Sequence, residues 1–174
     1  MSDPAPPSDP VADRLAIADV LARYCRGIDR CDADELRRVF APDAVIDYGD
    51  GPSLRDAAIG QLLPALRAMR LTQHSITNCL VEIDGDRARA ETYCTALHIL
   101  GPPGEEIELV VGGRYLDAFA RRSQTWQIVE RFYVMDWNRQ QPATMQTSGG
   151  LFDTLLRRGT RWPDDPLYRW RQAR

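Results

Sequence analysis

From residue 11 onward the apolar positions fall into a helical rhythm. In VADRLAIADVLARYCRGID, Ile17, Leu21, Tyr24 and Ile28 recur at intervals of three and four, which predicts an amphipathic helix over 11–29. Asp9-Pro10 just before it supplies a capping side chain and a proline suited to the first helical position, while Gly27 weakens the last turn. Asp32 opens DADELRRVF with Glu35 three residues on as a capping-box partner, so a short second helix runs to Phe40. Pro42-Asp43 breaks it. AVIDYGD reads as a short strand ending in a turn, and SLRDAAIGQLLPALRAMR as a third helical stretch with Pro64 as a candidate kink.

From residue 73 the rhythm changes. QHSITNCLVEI, RARAETYCTALHIL, EIELVVGGRYLDAFA and TWQIVERFYVMDW are four β-rich runs, separated by the hairpin-type connections DGD, GPPGE and RRSQ. Strands this long in one meander bend, and Gly112-Gly113 is the expected bend site. Helices first and a long antiparallel meander afterwards make an α+β domain. The helices must cover the concave face of one strongly curved antiparallel sheet, a cone-shaped α+β barrel whose open end is a natural small-molecule pocket. The expected organisation is a proline-rich, disordered leader over 1–10, one domain over 11–140 and a C-terminal extension over 141–174. The extension carries Trp162, Tyr168 and Trp170, residues suited to closing the pocket mouth or touching another subunit.

Composition narrows the chemistry. The apolar fraction of 44% and charged fraction of 27% over 174 residues are those of an ordinary globular protein. A net charge of −3 argues against nucleic acid as a partner, and no apolar run approaches the ~20 residues of a membrane span. With no basic and apolar export signal at the start, the expectation is a cytoplasmic protein whose Cys25, Cys31, Cys79 and Cys94 are free buried thiols without zinc-like spacing. All 22 basic residues are arginine, which removes every mechanism that needs a lysine Schiff base, a pyridoxal-phosphate anchor or a phosphate-loop lysine.

Against that background a few side chains stand out. His74 is one of two histidines, and strand alternation puts it on a face with Ile76, Asn78 and Leu80. It is either a hydrogen-bonded core residue or a base, with Asn78 beside it as a substrate contact. Asp29 ends the first helix, where the dipole disfavours a carboxylate, and Asp32 already caps the next helix. Asp29 is therefore either solvated or the partner that fixes a histidine tautomer. A His–Asp pair is the minimal device for taking a proton near neutral pH. His98 shares its face with Ala90, Cys94 and Ala96, small residues that leave room for a second proton donor, or it is core. Tyr24 lies on the apolar helix stripe as a core aromatic or a pocket hydroxyl. Arg131 interrupts an apolar strand. Either it faces the cavity to hold an oxyanion or leaving group, or it pairs with an acid on another strand. Two histidines without clustered carboxylates are thin for a metal site, and no metal or cofactor is expected.

The order IADVLARYCRGIDRCDADELRRVFAPDAVIDYG, LTQHSITN, DGDRARAETYCTALHI, GGRYLDAF and WQIVERF resembles the SnoaL-like branch of the nuclear transport factor 2-like superfamily over roughly residues 11–137. Scytalone dehydratase, hexachlorocyclohexane dehydrochlorinase and bile acid 7α-dehydratase of that superfamily use a His–Asp base for elimination. The resemblance places that base at His74 and Asp29, with Tyr24, His98 and Arg131 in supporting positions. It also implies dimers or trimers, in line with the apolar residues on one sheet face. Two departures stand beside it. The tyrosine pair that scytalone dehydratase sets over its substrate carbonyl is not evident here, and the lysine of the dehydrochlorinase has no counterpart. The expectation is a cofactor-independent lyase acting on a small, largely apolar cyclic hydroxy or carbonyl compound. Two alternatives stay open: an isomerase, cyclase or hydrolase in the same pocket, and a non-catalytic binding protein like the dioxygenase β subunits.

Overall fold

A computed structural model describes residues 9–173. Most of the expected leader, residues 1–8, lies outside the described residues. Helix α1 (Pro10–Arg30) starts at the predicted cap: the Asp9 side chain accepts from the Val11 and Ala12 amides and Pro10 takes the first turn. Ile17, Leu21, Tyr24 and Ile28 are each at most 2% exposed, so the sequence stripe is the buried face. The helix ends at Cys31 in the left-handed region (φ 51°), with the Asp32 amide donating to the Gly27 carbonyl. This closing turn throws the chain into α2 (Ala33–Val39). The Asp32 side chain accepts from the Glu35 amide as expected of a cap. Glu35 itself turns away to pair with Arg26 and Arg38 instead of completing the box. Gly27 does more than weaken a helix. A β-carbon there would meet Leu36 at 2.9 Å, so its absence lets α2 pack against α1.

Strand β1 (Phe40–Asp47) and the two-residue β2 (Ser53–Leu54) precede α3 (Arg55–Ala68), which carries Pro64 in its interior. Then come β3 (Leu71–Asp84), β4 (Arg87–Leu100), β5 (Ile107–Arg122) and β6 (Thr125–Pro142). A short 3-10 turn (Gly150–Thr154) and helix α4 (Pro166–Gln172) follow. The sheet order is β2-β1-β6-β5-β4-β3. The four long strands form the expected antiparallel meander. The sheet is nevertheless mixed, because β1 joins it parallel to β6. A strand placed before the helical crossover α3 and the whole meander has no local signal for its partner.

Two of the four register shifts among the described strands fall where the sequence bears on them. Between Ile76 and Cys79, β3 advances three residues while β4 advances two, from Cys94 to Thr92. This bulge resets the alternation. Between Gly112 and Gly113 the pairing with β6 jumps from Trp137 to Met135, so the predicted bend site lies opposite a bulge whose extra residue is Asp136. A β-carbon on Gly113 would sit 2.3 Å from the Val134 carbonyl oxygen. The core lies between the α1 stripe and inward residues of the sheet, among them Ala88, Ala90, Tyr115, Phe119 and Ile128. The opposite sheet face leaves Leu80, Tyr93, Leu116 and Phe132 open to solvent. Among the described residues no helix is long and apolar enough to cross a membrane.

Candidate functional site

The last turn of α1 and the start of β3 bring Asp29 and His74 together. The Asp29 carboxylate accepts from the His74 main-chain amide at 2.9 Å and meets the ring Nδ1 at 2.8 Å. The two side chains are only 12% and 8% exposed. A carboxylate on Nδ1 makes that nitrogen the donor and leaves Nε2 with its lone pair. His98 lies diagonally across the β3–β4 ladder, because His74 pairs with Ala96 and His98 with Thr72. The two rings meet edge to face with centroids 5.6 Å apart. Ala96, opposite His74, supplies the space that the small residues of β4 promised.

Both rings line a cavity of about 220 Å3 whose walls include Ile28, Leu62, Leu66 and Val111. Four tyrosines, Tyr24, Tyr48, Tyr115 and Tyr133, line it too. The Tyr24 and Tyr48 hydroxyls are 2.9 Å apart. Burial pushes Tyr24 and Tyr115 well above the ordinary tyrosine range and raises Tyr48 as well. These phenols therefore stay protonated and act as hydrogen-bond donors. Burial, and then the charge of His74, lower His98 from its ordinary 6.5. Its Nδ1 is buried without a hydrogen-bond partner among the described residues. A groove of about 340 Å3 on the outer sheet face, lined in part by Leu80, Leu116 and Phe132, contains neither histidine.

Arg131 is wholly buried and takes the second of its two predicted arrangements. Its Nε and Nη2 donate to Asp117 on β5, both at 2.7 Å, and neither side chain has any exposure. The guanidinium carbon lies 3.9 and 4.0 Å from the centroids of the Tyr24 and Tyr115 rings, which meet each other edge to face. Burial opposes the charge, but the Asp117 carboxylate holds Arg131 protonated. Arg131 does not line the cavity. It lies behind the tyrosine wall, where its charge opposes the upward shift of Tyr24 and Tyr48.

Asn78 is the clearest displacement. It sits in the β3 bulge, is exposed and lies away from the cavity, and Leu80 beyond it is 66% exposed. Simple alternation carries both to the His74 face; the extra residue turns them outward. Tyr24 and His98 do reach the cavity. The thiols are free, and Cys25, Cys31 and Cys94 are buried, but Cys79, in the same bulge, is exposed. Sequence reasoning missed Tyr48, Tyr115 and Asp117. Tyr48 continues the inward set Ala44 and Ile46, and Asp117 stands between Tyr115 and Phe119 on the inward face of β5. Among the described residues no group of three or more His, Cys, Asp or Glu side chains could hold a metal ion.

The profile of the SnoaL-like domain matches residues 9–132. The chain belongs to the SnoaL-like family. Within reach of it is the uncharacterized protein Rv2910c of Mycobacterium tuberculosis, 34% identical over 124 residues, covering 70% of this chain and 84% of that protein. Among solved structures, Kfla4162 from Kribbella flavida superposes with a TM-score of 0.70 at 25% identity, over 75% of this chain and 95% of its own. A Novosphingobium aromaticivorans protein named as a scytalone dehydratase gives 0.67 at 17% identity, over 81% and 94%. The hexachlorocyclohexane dehydrochlorinase LinA-type3 of Novosphingobium barchaimii gives 0.68 at 17%, over 80% and 97%. The SnoaL-like chain thus has the α+β cone fold of the nuclear transport factor 2-like superfamily, shared with dehydratases and dehydrochlorinases. At these identities the likeness to the two lyases concerns the fold.

Proposed function

We propose that this SnoaL-like protein is a cofactor-independent lyase that removes water from a small cyclic hydroxy-carbonyl compound. One observation carries the reading: a buried histidine, its Nδ1 held at 2.8 Å by a buried carboxylate, borders an apolar cavity also lined by phenol donors. Nε2 of His74 takes the proton from carbon next to the carbonyl, and Asp29 stabilises the imidazolium that forms. One phenol of the hydrogen-bonded Tyr24–Tyr48 pair donates to the carbonyl oxygen as negative charge develops on it, and the other donates to the first. The hydroxyl on the neighbouring carbon leaves with its bonding electrons and takes a proton to depart as water. His98 is held neutral by its surroundings, so it orients the leaving hydroxyl by hydrogen bonding, and the proton comes from the His74 imidazolium. One C–H and one C–O bond break, one C=C forms, and the base is regenerated.

The size of the cavity limits the substrate. A cavity of ~150 Å3 takes a single benzene ring, and drug-sized ligands need ~300 Å3 or more. At about 220 Å3 the fit is to one or two fused rings. The test is a panel of one- and two-ring β-hydroxy ketones, followed by the absorbance of the conjugated product and by mass. The expected result is loss of one water, abolished in His74→Ala and in Asp29→Asn. Turnover that survives both substitutions sinks the reading, and a product of unchanged mass assigns the pocket to isomerisation instead. The exposed apolar sheet face around Leu116 and Phe132 is proposed as the contact of a homo-oligomer, which light scattering on the purified chain checks.

A further inference from the structure

The segment after β6 returns to the end of α1. The Trp162 amide donates to the Arg30 carbonyl at 2.7 Å, Arg30 pairs with the buried Asp165 at 3.1 Å, and the Tyr168 hydroxyl donates to Asp32 at 2.9 Å. These contacts hold Arg161 against the His74–Asp29 pair. Its Nη1 donates to the main-chain carbonyl of Asp29 and to the Thr72 hydroxyl, the latter at 2.8 Å. Its Nη2 donates to the carbonyls of Leu66 and Met69 at 3.0 and 3.2 Å. Among the described residues none of these hydrogen bonds goes to a carboxylate.

The choice of partners is informative. Thr72 is buried and stands two residues before His74 on the same face of β3. One guanidinium nitrogen therefore ties the helix turn that carries the acid to the strand that carries the base. The other ties in the end of α3, whose Leu66 borders the cavity. The carbonyls of Asp29, Leu66 and Met69 belong to two helix C-termini, where a positive charge is favourable. Arg161 thereby offsets the dipole that opposes a carboxylate at position 29. It approaches from a polar cleft that His74 and Asp29 also line, on the side away from the tyrosines, and so leaves the apolar cavity open. Arg161 also lies beyond the residues matched by the SnoaL-like profile, which end at 132.

We propose that Arg161 is a positioning residue: it fixes the spacing and orientation of the His74–Asp29 pair without touching substrate. The proposal deepens the lyase reading and rests on that pair being the base, yet it is tested on the pair itself. The probe is the His74 Nδ1 proton in nitrogen-15-labelled full-length protein, assigned with His98→Gln. Held by the Asp29 carboxylate, this proton resonates far downfield and exchanges slowly. In Arg161→Gln its exchange with solvent accelerates by at least about tenfold, with Arg161→Lys intermediate, because an ammonium is not the planar fork that joins two chain segments. Thr72→Val, which keeps shape and removes a single arm, moves the signal in the same direction by less. Where a lyase substrate is in hand, kcat falls about tenfold or more with KM little changed, as expected of misplacement by a fraction of an ångström.

A folded Arg161→Gln with an unaltered Nδ1 signal overturns the proposal. If that variant does not fold, an unaltered signal in Thr72→Val overturns it. A changed signal in the variants, with a wild-type protein that dehydrates no compound of the panel, leaves the positioning role standing and removes the lyase reading.

Discussion

Asp117→Asn is the perturbation whose size the structure defines best. Arg131 and Asp117 are both at 0% side-chain exposure and share two 2.7 Å hydrogen bonds. Asparagine keeps the shape and one acceptor but strands a full positive charge in the core. Removing one partner of a buried pair costs about 3–5 kcal/mol, most of it desolvation of the abandoned charge. The faces of Tyr24 and Tyr115, at 3.9 and 4.0 Å, still attract the cation after the change, which favours the lower half of that range. For a chain of this size the loss corresponds to a fall of about 6–20 °C in melting temperature. Urea unfolding at neutral pH, with a constant m-value as the check on two-state behaviour, measures it. The companion variant, Asp117→Asn with Arg131→Met, removes the stranded charge at similar volume and recovers most of the loss. A cost below about 1 kcal/mol for the single variant, or a double variant no better than the single, refutes the reasoning.

Three further outcomes are expected. The folded state prefers His98 neutral, because its pKa lies below 6.5. The associated stability is complete above that value and is lost as pH falls through it, since the unfolded chain binds the proton first. Melting temperature followed from about pH 8 to about pH 5 therefore falls less steeply in His98→Gln than in wild type, and parallel curves contradict this. Gly113→Ala drives a β-carbon into a backbone oxygen and loses about 1–3 kcal/mol in urea melts. Gly112→Ala meets the ring of half-exposed Trp137, which can swing aside, and loses less; equal losses go against the bulge geometry. Asp29→Asn changes unfolding free energy by no more than about 1 kcal/mol while abolishing the proposed dehydration. A loss above about 2 kcal/mol makes the carboxylate a structural requirement.

Local signals were legible wherever the physics is local. The α1 stripe, the Asp9 and Asp32 caps and the hairpin meander follow from side chains within a few residues of one another, and each is observed. Failures begin where a distant strand or a single inserted residue decides the outcome. The parallel pairing of β1 with β6 joins residues separated by most of the domain. Alternation read through the β3 bulge sent Asn78 and Leu80 to the wrong face. Arg131 was recognisable as a charge needing a partner, but naming Asp117 required the β5–β6 register. Asp29 and His74 were legible as a pair because each is locally out of place: an acid at a helix C-terminus and a histidine among apolar strand neighbours. Arg161 is ordinary in an arginine-rich tail, and only the folded chain reveals where it points.

The placement of Asp29 is best understood by comparing it with the residue that would do the structural part of its work. An asparagine at position 29 can accept from the His74 amide and donate to Nδ1, keeping the geometry seen at 2.9 and 2.8 Å. It would also escape the helix dipole, which costs a carboxylate about 0.3–1 kcal/mol at this end. Stability alone therefore gives little reason for an acid. The difference appears when His74 carries a second proton: the carboxylate then faces an imidazolium across a largely buried contact, where asparagine offers no compensating charge. It also forces Nδ1 to be the protonated nitrogen, whereas asparagine permits the opposite tautomer and puts the proton on the cavity side. The charge at position 29 is thus inexpensive in the resting protein and valuable only in a state in which His74 has taken a proton. In the proposed dehydration His74 enters that state on each turnover.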